Sequence, residues 1–468
     1  MRTGLAATAA AVCILAAKAA AGLPLSDPLW DWMRPAATAT GIPLGGVVPL
    51  CGLPGAEDGW GGPVERAGWL GSEGRHRLGD GWIGLDGLVA LEGARDDGTQ
   101  VRAGTAFRLQ AEVVKDLTVH ERLSVWSGSD ELPPHHFSPY HLGQEEGRHL
   151  YADWGWVAWT PGRLNLSLGR IPQTWGPGRY TRLLLSDNSP ALDMLLFSAA
   201  PAQWLTFTGL TGTVASDSAT YLSMHRLDIR PAASLRIGLS EAILYCSEGL
   251  ELAYMNPFIP YYPVQWNERE DDNAFLCFDA EWCPARGVSA WGELLVDDFQ
   301  YQTEYDRPNK MAWTLGAEAA APGGAWANLE YTRIDRYVYS QRRSCNYYLH
   351  DGRIIGSGLG PDADRVTAGA GYAGLWPLAL GGSLDHARRG EGTVYDGWPD
   401  SVSSGGPFPS GTVEYSTTAA LELSAYPAAS PPLEVRGGLS HVWVRNDGHQ
   451  PGEEAERTRG WLQAVWHW

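Results

Sequence analysis

Arg459-Gly-Trp-Leu-Gln-Ala-Val-Trp-His-Trp468 is the stretch that decides the fold. Counting back from the end, Trp468, Trp466, Ala464, Leu462 and Gly460 share one face of a strand. Arg459, Gln463 and His467 fall on the other, with Trp461 and Val465 among them. A strand with an apolar face and a terminal aromatic suits the closing strand of an outer-membrane β-barrel, where that face meets lipid and the aromatic sits at the membrane interface. The competing reading is an edge strand of a soluble sandwich.

The same period recurs from about Gly84 onward. In Ala103 to Val113, Phe107, Leu109, Ala111 and Val113 alternate with Arg108, Gln110 and Glu112. In Ala325 to Arg333, Ala327, Leu329 and Tyr331 oppose Trp326, Asn328 and Glu330. Alternation with charges on one face places a strand between two environments, and lipid outside a wet lumen supplies them. About 18 strands are expected, beginning near Gly84, Ala103, Leu117, Leu150, Leu164, Asp193, Trp204, Thr220, Ser234, Asn273, Gly287, Met311, Gly324, Arg365, Trp376, Glu414, Leu433 and Arg457. Short connections such as Lys115-Asp116, Pro161-Gly162-Arg163 and Pro322-Gly323 alternate with long ones near 127–149, 171–192, 247–272, 335–364 and 388–413. Short periplasmic turns and long outer loops are how a bacterial barrel is organised. A soluble sandwich gives no reason for loop length to alternate.

The other end agrees with export. Met1-Arg2, an apolar run from Gly4 to Ala17 and the small residues Ala19-Ala20-Ala21 have the layout of a secretory signal peptide over 1–21. No later stretch reaches the length of an apolar transmembrane helix. Residues 22–83 do not alternate. Ser26 or Asp27 with Pro28 can start a helix that Pro35 keeps short, and the remainder is Gly/Pro-rich. A small, partly helical periplasmic segment is expected there, ahead of a barrel over 84–468. The terminal strand also resembles the signal read by the barrel-assembly machinery, so that machinery and outer-membrane lipid are expected partners.

Glycine (57), tryptophan (22) and tyrosine (19) are abundant, as turns and interfacial aromatics require. The formal charge of −19 argues against nucleic acid as a partner. It leaves anionic sugars open, because arginines clustered in loops act locally. Five cysteines follow the cleavage point: Cys51, Cys246, Cys277, Cys283 and Cys345. Their spacing fits no zinc motif, and most are expected to be free small apolar residues.

Gly169-Arg-Ile-Pro-Gln-Thr-Trp-Gly-Pro-Gly-Arg-Tyr-Thr-Arg-Leu-Leu-Leu-Ser-Asp-Asn-Ser-Pro190 carries a resemblance. So do, in order, Asn273-Ala-Phe-Leu-Cys-Phe-Asp-Ala-Glu-Trp282, Gly292-Glu-Leu-Leu-Val-Asp-Asp298, Pro308-Asn-Lys-Met311 and Ile355-Gly-Ser-Gly-Leu-Gly-Pro-Asp-Ala-Asp364. Together they resemble the Wzi family of outer-membrane capsule-assembly proteins. The resemblance implies an 18-stranded barrel with a helical part on the periplasmic side, binding capsular or other surface polysaccharide without catalysis.

Two loops are candidate polysaccharide contacts. Trp175, Arg179, Tyr180 and Arg182 combine ring faces for sugar CH groups with guanidinium groups for a uronic carboxylate. The alternative is that this loop turns inward and plugs the barrel, and the two readings are compatible. Tyr261, Tyr262 and Trp266 lie in the proline-rich loop Met255–Trp266, which is either a sugar platform or packing at the outer rim. The acidic groups Glu268, Glu270, Asp271 and Asp272, and the pair Asp297-Asp298, read as solvated or salt-bridged walls rather than a Ca²⁺ site. His135, His136 and His141 read as an exposed polar loop. No metal, cofactor or catalytic residue is expected, and no nucleophile stands beside a base in a known signature. The alternative functions are a channel for small solutes and, third, an outer-membrane hydrolase. An open lumen would favour the channel, and a blocked one with aromatics at its outer mouth the polysaccharide binder.

Overall fold

The structure is a computed structural model. It describes residues 76–468 apart from 79–80, 96–98, 129–139, 142–147, 216–218, 257, 269–271, 300–307, 322–323, 376–377, 399–405, 430–431 and 468. The expected signal peptide, nearly all of the 22–83 segment, Cys51, His135, His136 and Trp468 lie outside the described residues.

Among the described residues, 20 strands form one antiparallel sheet. Two are short pieces, His76–Leu78 and Tyr140–His141. The other 18 are β1 Gly81–Arg95, β2 Thr99–Val114, β3 Leu117–Gly128, β4 Arg148–Trp159, β5 Leu164–Ile171, β6 Leu192–Ala202, β7 Leu205–Ala215, β8 Thr220–Ala232, β9 Leu235–Cys246, β10 Asn273–Ala285, β11 Val288–Asp298, β12 Lys310–Ala320, β13 Ala325–Ile334, β14 Ala363–Leu375, β15 Leu378–Arg389, β16 Glu414–Ala429, β17 Pro432–Arg445 and β18 Glu454–His467. Each pairs with its sequence neighbours, and β1 pairs with β18 from Asp86↔His467 to Arg95↔Thr458, so no edge is left open. The closing strand begins at Glu454 rather than Arg457, because pairing continues into its charged end, and the first at Gly81 rather than Gly84, because Trp82 and Ile83 still pair with β2.

The alternation of side chains divides the wall into two faces. On β13, Leu329 is 54% exposed on the outer face while its neighbour Glu330 is buried within. Leu315, Leu421, Leu439 and Leu462 continue the outer apolar face. Thr314, Glu293 and Glu318 face the lumen. Among the described residues no helix is long and apolar enough to cross a membrane; the crossing elements are the strands. One end of the barrel, called here the turn end, carries only connections of two to four residues; the long connections all lie at the other, the loop end, together with the short 96–98 and 216–219.

The cysteines depart from expectation. Cys246 is joined to Cys345, with Cα atoms 6.2 Å apart across 99 residues of sequence, and Cys283 is disulfide-bonded as well. Cys277 is free and buried. Cys246 ends β9 on its lumen face, and the pairing forms because loop 335–362 folds inward to meet it. No local spacing signals such a contact.

Candidate functional site

The lumen is filled from the loop end by two connections. The first, 172–191, leaves β5 and crosses to the far wall. Arg179 is its hub: Nη2 donates to Glu281 Oε1 of β10 at 2.6 Å, and its guanidinium lies 4.3 Å from the Trp291 ring centre on β11. Glu318 of β12 stands 3.8 Å from its Nε. The Arg179 backbone N–H donates to Glu330 of β13 at 2.7 Å, and Trp291 Nε1 donates to the same carboxylate at 3.0 Å. The Tyr180 hydroxyl donates to Asn328 at 2.6 Å. Arg365 of β14 bonds the Tyr180 carbonyl and the Thr181 hydroxyl. Three residues, Arg179 to Thr181, therefore engage five successive strands. Unpaired, these buried carboxylates would be costly; Arg179, Trp291 Nε1 and backbone N–H groups pair with Glu281 and Glu330.

The glycines of Trp175-Gly-Pro-Gly178 make this approach sterically feasible. Gly176 has φ +107, and a Cβ there would lie 2.3 Å from Glu293 Oε1. A Cβ on Gly178 would meet the Thr181 carbonyl. A side chain at either position would push the loop off the wall.

Loop 335–362 lies against the first. Tyr339 and Tyr348 donate their hydroxyls to the Leu183 and Leu184 carbonyls at 2.6 and 3.0 Å. Ser186 N–H donates to the Ile355 carbonyl at 2.9 Å, and Asn188 Nδ2 to the Ile354 carbonyl at 2.8 Å. Burial pushes both tyrosine hydroxyls above their ordinary value, so both stay protonated donors. Trp175, Leu183, Leu184, Leu185, Val338, Tyr339, Tyr348 and Ile355 form one apolar core with the lumen faces of the wall: Leu222, Met224, Leu244, Phe275 and Leu295 among others. This packed core fills the bore against β5 to β15 at the loop half. Toward the turn end Arg226 bridges Asp279 and Asp228, while at the loop-end tips of β11 and β12 Lys310 is held by Asp297 and Asp298 at 2.6 and 3.2 Å.

Above the core, the loops build the outer mouth. Tyr347 and Tyr395 meet edge to face with ring centres 5.5 Å apart, and Tyr395 is 59% exposed. Arg336 reaches Asp396 and Ser410, each at 3.2 Å, and lies over the Tyr337 ring. Arg342 and Arg343 of the same loop are exposed. Asp362 ties this loop to 390–413 through Gly392 N–H and Ser410. Trp398 Nε1 donates to the Pro308 carbonyl at 3.1 Å.

Of the residues singled out in the sequence, Trp175, Arg179 and Arg182 are buried in the inner loop, and Tyr180 sits with them facing the lumen. Tyr261, Tyr262 and Trp266 are brought elsewhere. Connection 247–272 forms two short helices, α1 Leu252–Met255 and α2 Tyr261–Glu268. They lie against the outer face of the wall, where Tyr261 is buried and Tyr262 half-exposed. The mouth residues Arg336, Tyr347 and Tyr395 were missed; the available signal was the concentration of tyrosine and arginine over 336–348. Among the described residues, no group of three or more His, Cys, Asp or Glu is arranged to hold a metal ion.

The family model for capsule assembly protein Wzi matches residues 92–458. Among solved structures, the chain is similar to Wzi of Escherichia coli, described as an outer-membrane protein involved in group 1 capsule assembly and a carbohydrate-binding β-barrel. Identity there is 16%, the TM-score 0.56, and the match covers 81% of this chain and 84% of that one. It is also similar to OccK9 of Pseudomonas aeruginosa, at 12% identity, TM-score 0.53 and 83% and 99% coverage. OccK5 of the same organism matches at 10% identity, TM-score 0.51 and 83% and 98% coverage. At these identities the likeness shows the fold alone. Comparison with curated proteins found no match.

Proposed function

This chain belongs to the capsule assembly protein Wzi family, and on that premise we propose that it holds surface polysaccharide at the loop end of an outer-membrane barrel, without catalysis. The observation that carries the reading is the packing of two long loops inside the barrel. An apolar core joins 172–191 and 335–362 to the wall from β5 to β15, which in this reading obstructs a solute at the loop half. What the same loops offer outward is a surface of Tyr347, Tyr395, Arg336, Arg342 and Arg343. Tyrosine faces stack on sugar CH groups, and guanidinium groups hold uronic carboxylates in pairs of hydrogen bonds.

In this reading Trp175, Arg179 and Arg182 support the surface from beneath rather than touch the ligand. The loop end faces the cell exterior and the turn end the periplasm, as in bacterial barrels generally. Export by a cleaved signal peptide over 1–21, a periplasmic segment over 22–83 and insertion of the 84–468 barrel by the barrel-assembly machinery complete the proposal.

Binding of capsular or other acidic surface polysaccharide to the folded protein tests it. Tyr395→Ala and Tyr347→Ala each remove an aromatic anchor worth about 2 kcal/mol, or roughly 30-fold in affinity. Arg342→Ala should weaken acidic glycans and spare neutral ones. Unchanged binding in all three variants, or shortening of the glycan on incubation, would overturn the proposal.

A further inference from the structure

The outward lobe formed by 247–272 stands apart from the lumen site. On β8 and β9 the lumen face carries Leu222, Met224, Ala242 and Leu244. The opposite face carries Ser223, His225, Glu241, Ile243 and Tyr245. That outer face is covered by the lobe: Tyr254, Tyr261 and Val264 pack on Ile243 and Tyr245. His225 Nε2 and Glu241 Oε2 meet at 3.0 Å beneath it, and Glu241 also accepts the Tyr262 backbone N–H at 3.1 Å. Phe258 stacks on Phe207 with ring centres 5.5 Å apart. Phe207 pairs with Leu227, which lies nearer the turn end of β8 than its loop end. At about 3.3 Å per residue, the lobe thus reaches roughly 15–20 Å down the wall, well into the membrane band.

The lobe's own outer surface is apolar. Leu252 is 82% exposed and Phe258 78%, with Ile259 and Tyr262 beside them. The backbone beneath is prepared for a solvent that offers no hydrogen bonds. Pro257, Pro260 and Pro263 have no N–H to satisfy. The Phe258 N–H donates to Asn256 Oδ1 at 3.1 Å, and the Ile259 N–H to the Asn256 carbonyl at 3.4 Å. Exposed Phe278 and Leu239 on the adjoining β10 and β9 continue the same apolar face. We infer that this lobe is a lipid-embedded patch: it shields the His225–Glu241 pair from the bilayer and presents Leu252, Phe258 and Ile259 to acyl chains of the outer leaflet.

A nitroxide on Leu252→Cys or Phe258→Cys, in a Cys277→Ala background and in lipid bilayers, reads the surroundings directly. Relaxation by oxygen, which dissolves in lipid, is compared with relaxation by a water-soluble nickel chelate. Both sites should give an oxygen-to-nickel ratio like that of Leu239→Cys on the open wall, several-fold above that of Tyr395→Cys at the mouth. Leu252 has the more exposed side chain and keeps the test valid if loss of the Phe258 stack loosens the lobe. Strong relaxation by nickel at both sites would put the lobe in water and overturn the inference. Protection from both reagents would mean protein covers the lobe, a second copy of this chain being one such cover, and would overturn it equally.

Discussion

Connections 172–191 and 247–272 are both long, aromatic and rich in proline, yet they end on opposite sides of the same wall. The first turns into the lumen and the second folds down the outside. Their sequences match what each meets. The inner loop brings arginine, glycine and backbone N–H groups to lumen carboxylates at Glu281, Glu293, Glu318 and Glu330. The outer loop brings Tyr254, Tyr261 and Val264 to an apolar outer face and spends one backbone N–H on Glu241. A loop's destination is set by the face it complements, and aromatic content alone does not decide it.

Breaking the inner loop should have the largest effect. Arg179→Ala leaves Glu281 and Glu318 buried without their cation, a loss of about 3–5 kcal/mol. The folded form should lose its heat resistance on gels, and any current through the barrel should rise. Breaking the outer lobe should act differently. Tyr261→Ala empties a buried site at a cost of about 3 kcal/mol, which lowers thermal stability and leaves the lumen closed. A current in Tyr261→Ala equal to that in Arg179→Ala would erase the distinction between the two loops. A smaller effect should follow from the paired change Cys246→Ser with Cys345→Ser. It frees loop 335–362 from β9 at about 2–4 kcal/mol, read as a lower unfolding temperature with the loop still packed.

The barrel was legible in the sequence because its signal is local. Period two at Phe107, Leu109 and Ala111, proline at the short turns and the alternation of loop lengths located the strands. The inward turn of 172–191 was legible as an alternative, since Gly176 and Gly178 mark a loop that something approaches closely. Loop 335–362 was not: Tyr339 and Tyr348 bond carbonyls at Leu183 and Leu184, more than 150 residues away, and nothing near them announces it. The Cys246–Cys345 bond was missed for the same reason. The outer lobe offered a weak signal, because Tyr261 and Val264 are spaced for one helix face and Pro263 is tolerated in a first turn. Three prolines in seven residues masked it.

Closure of the lumen by the two inner loops is the central claim, and ion current through the purified barrel in a planar bilayer tests it most directly. The account predicts no steady current from the native chain, and openings when Arg179→Ala loosens the inner loop. A steady open-pore current from the native chain would contradict it.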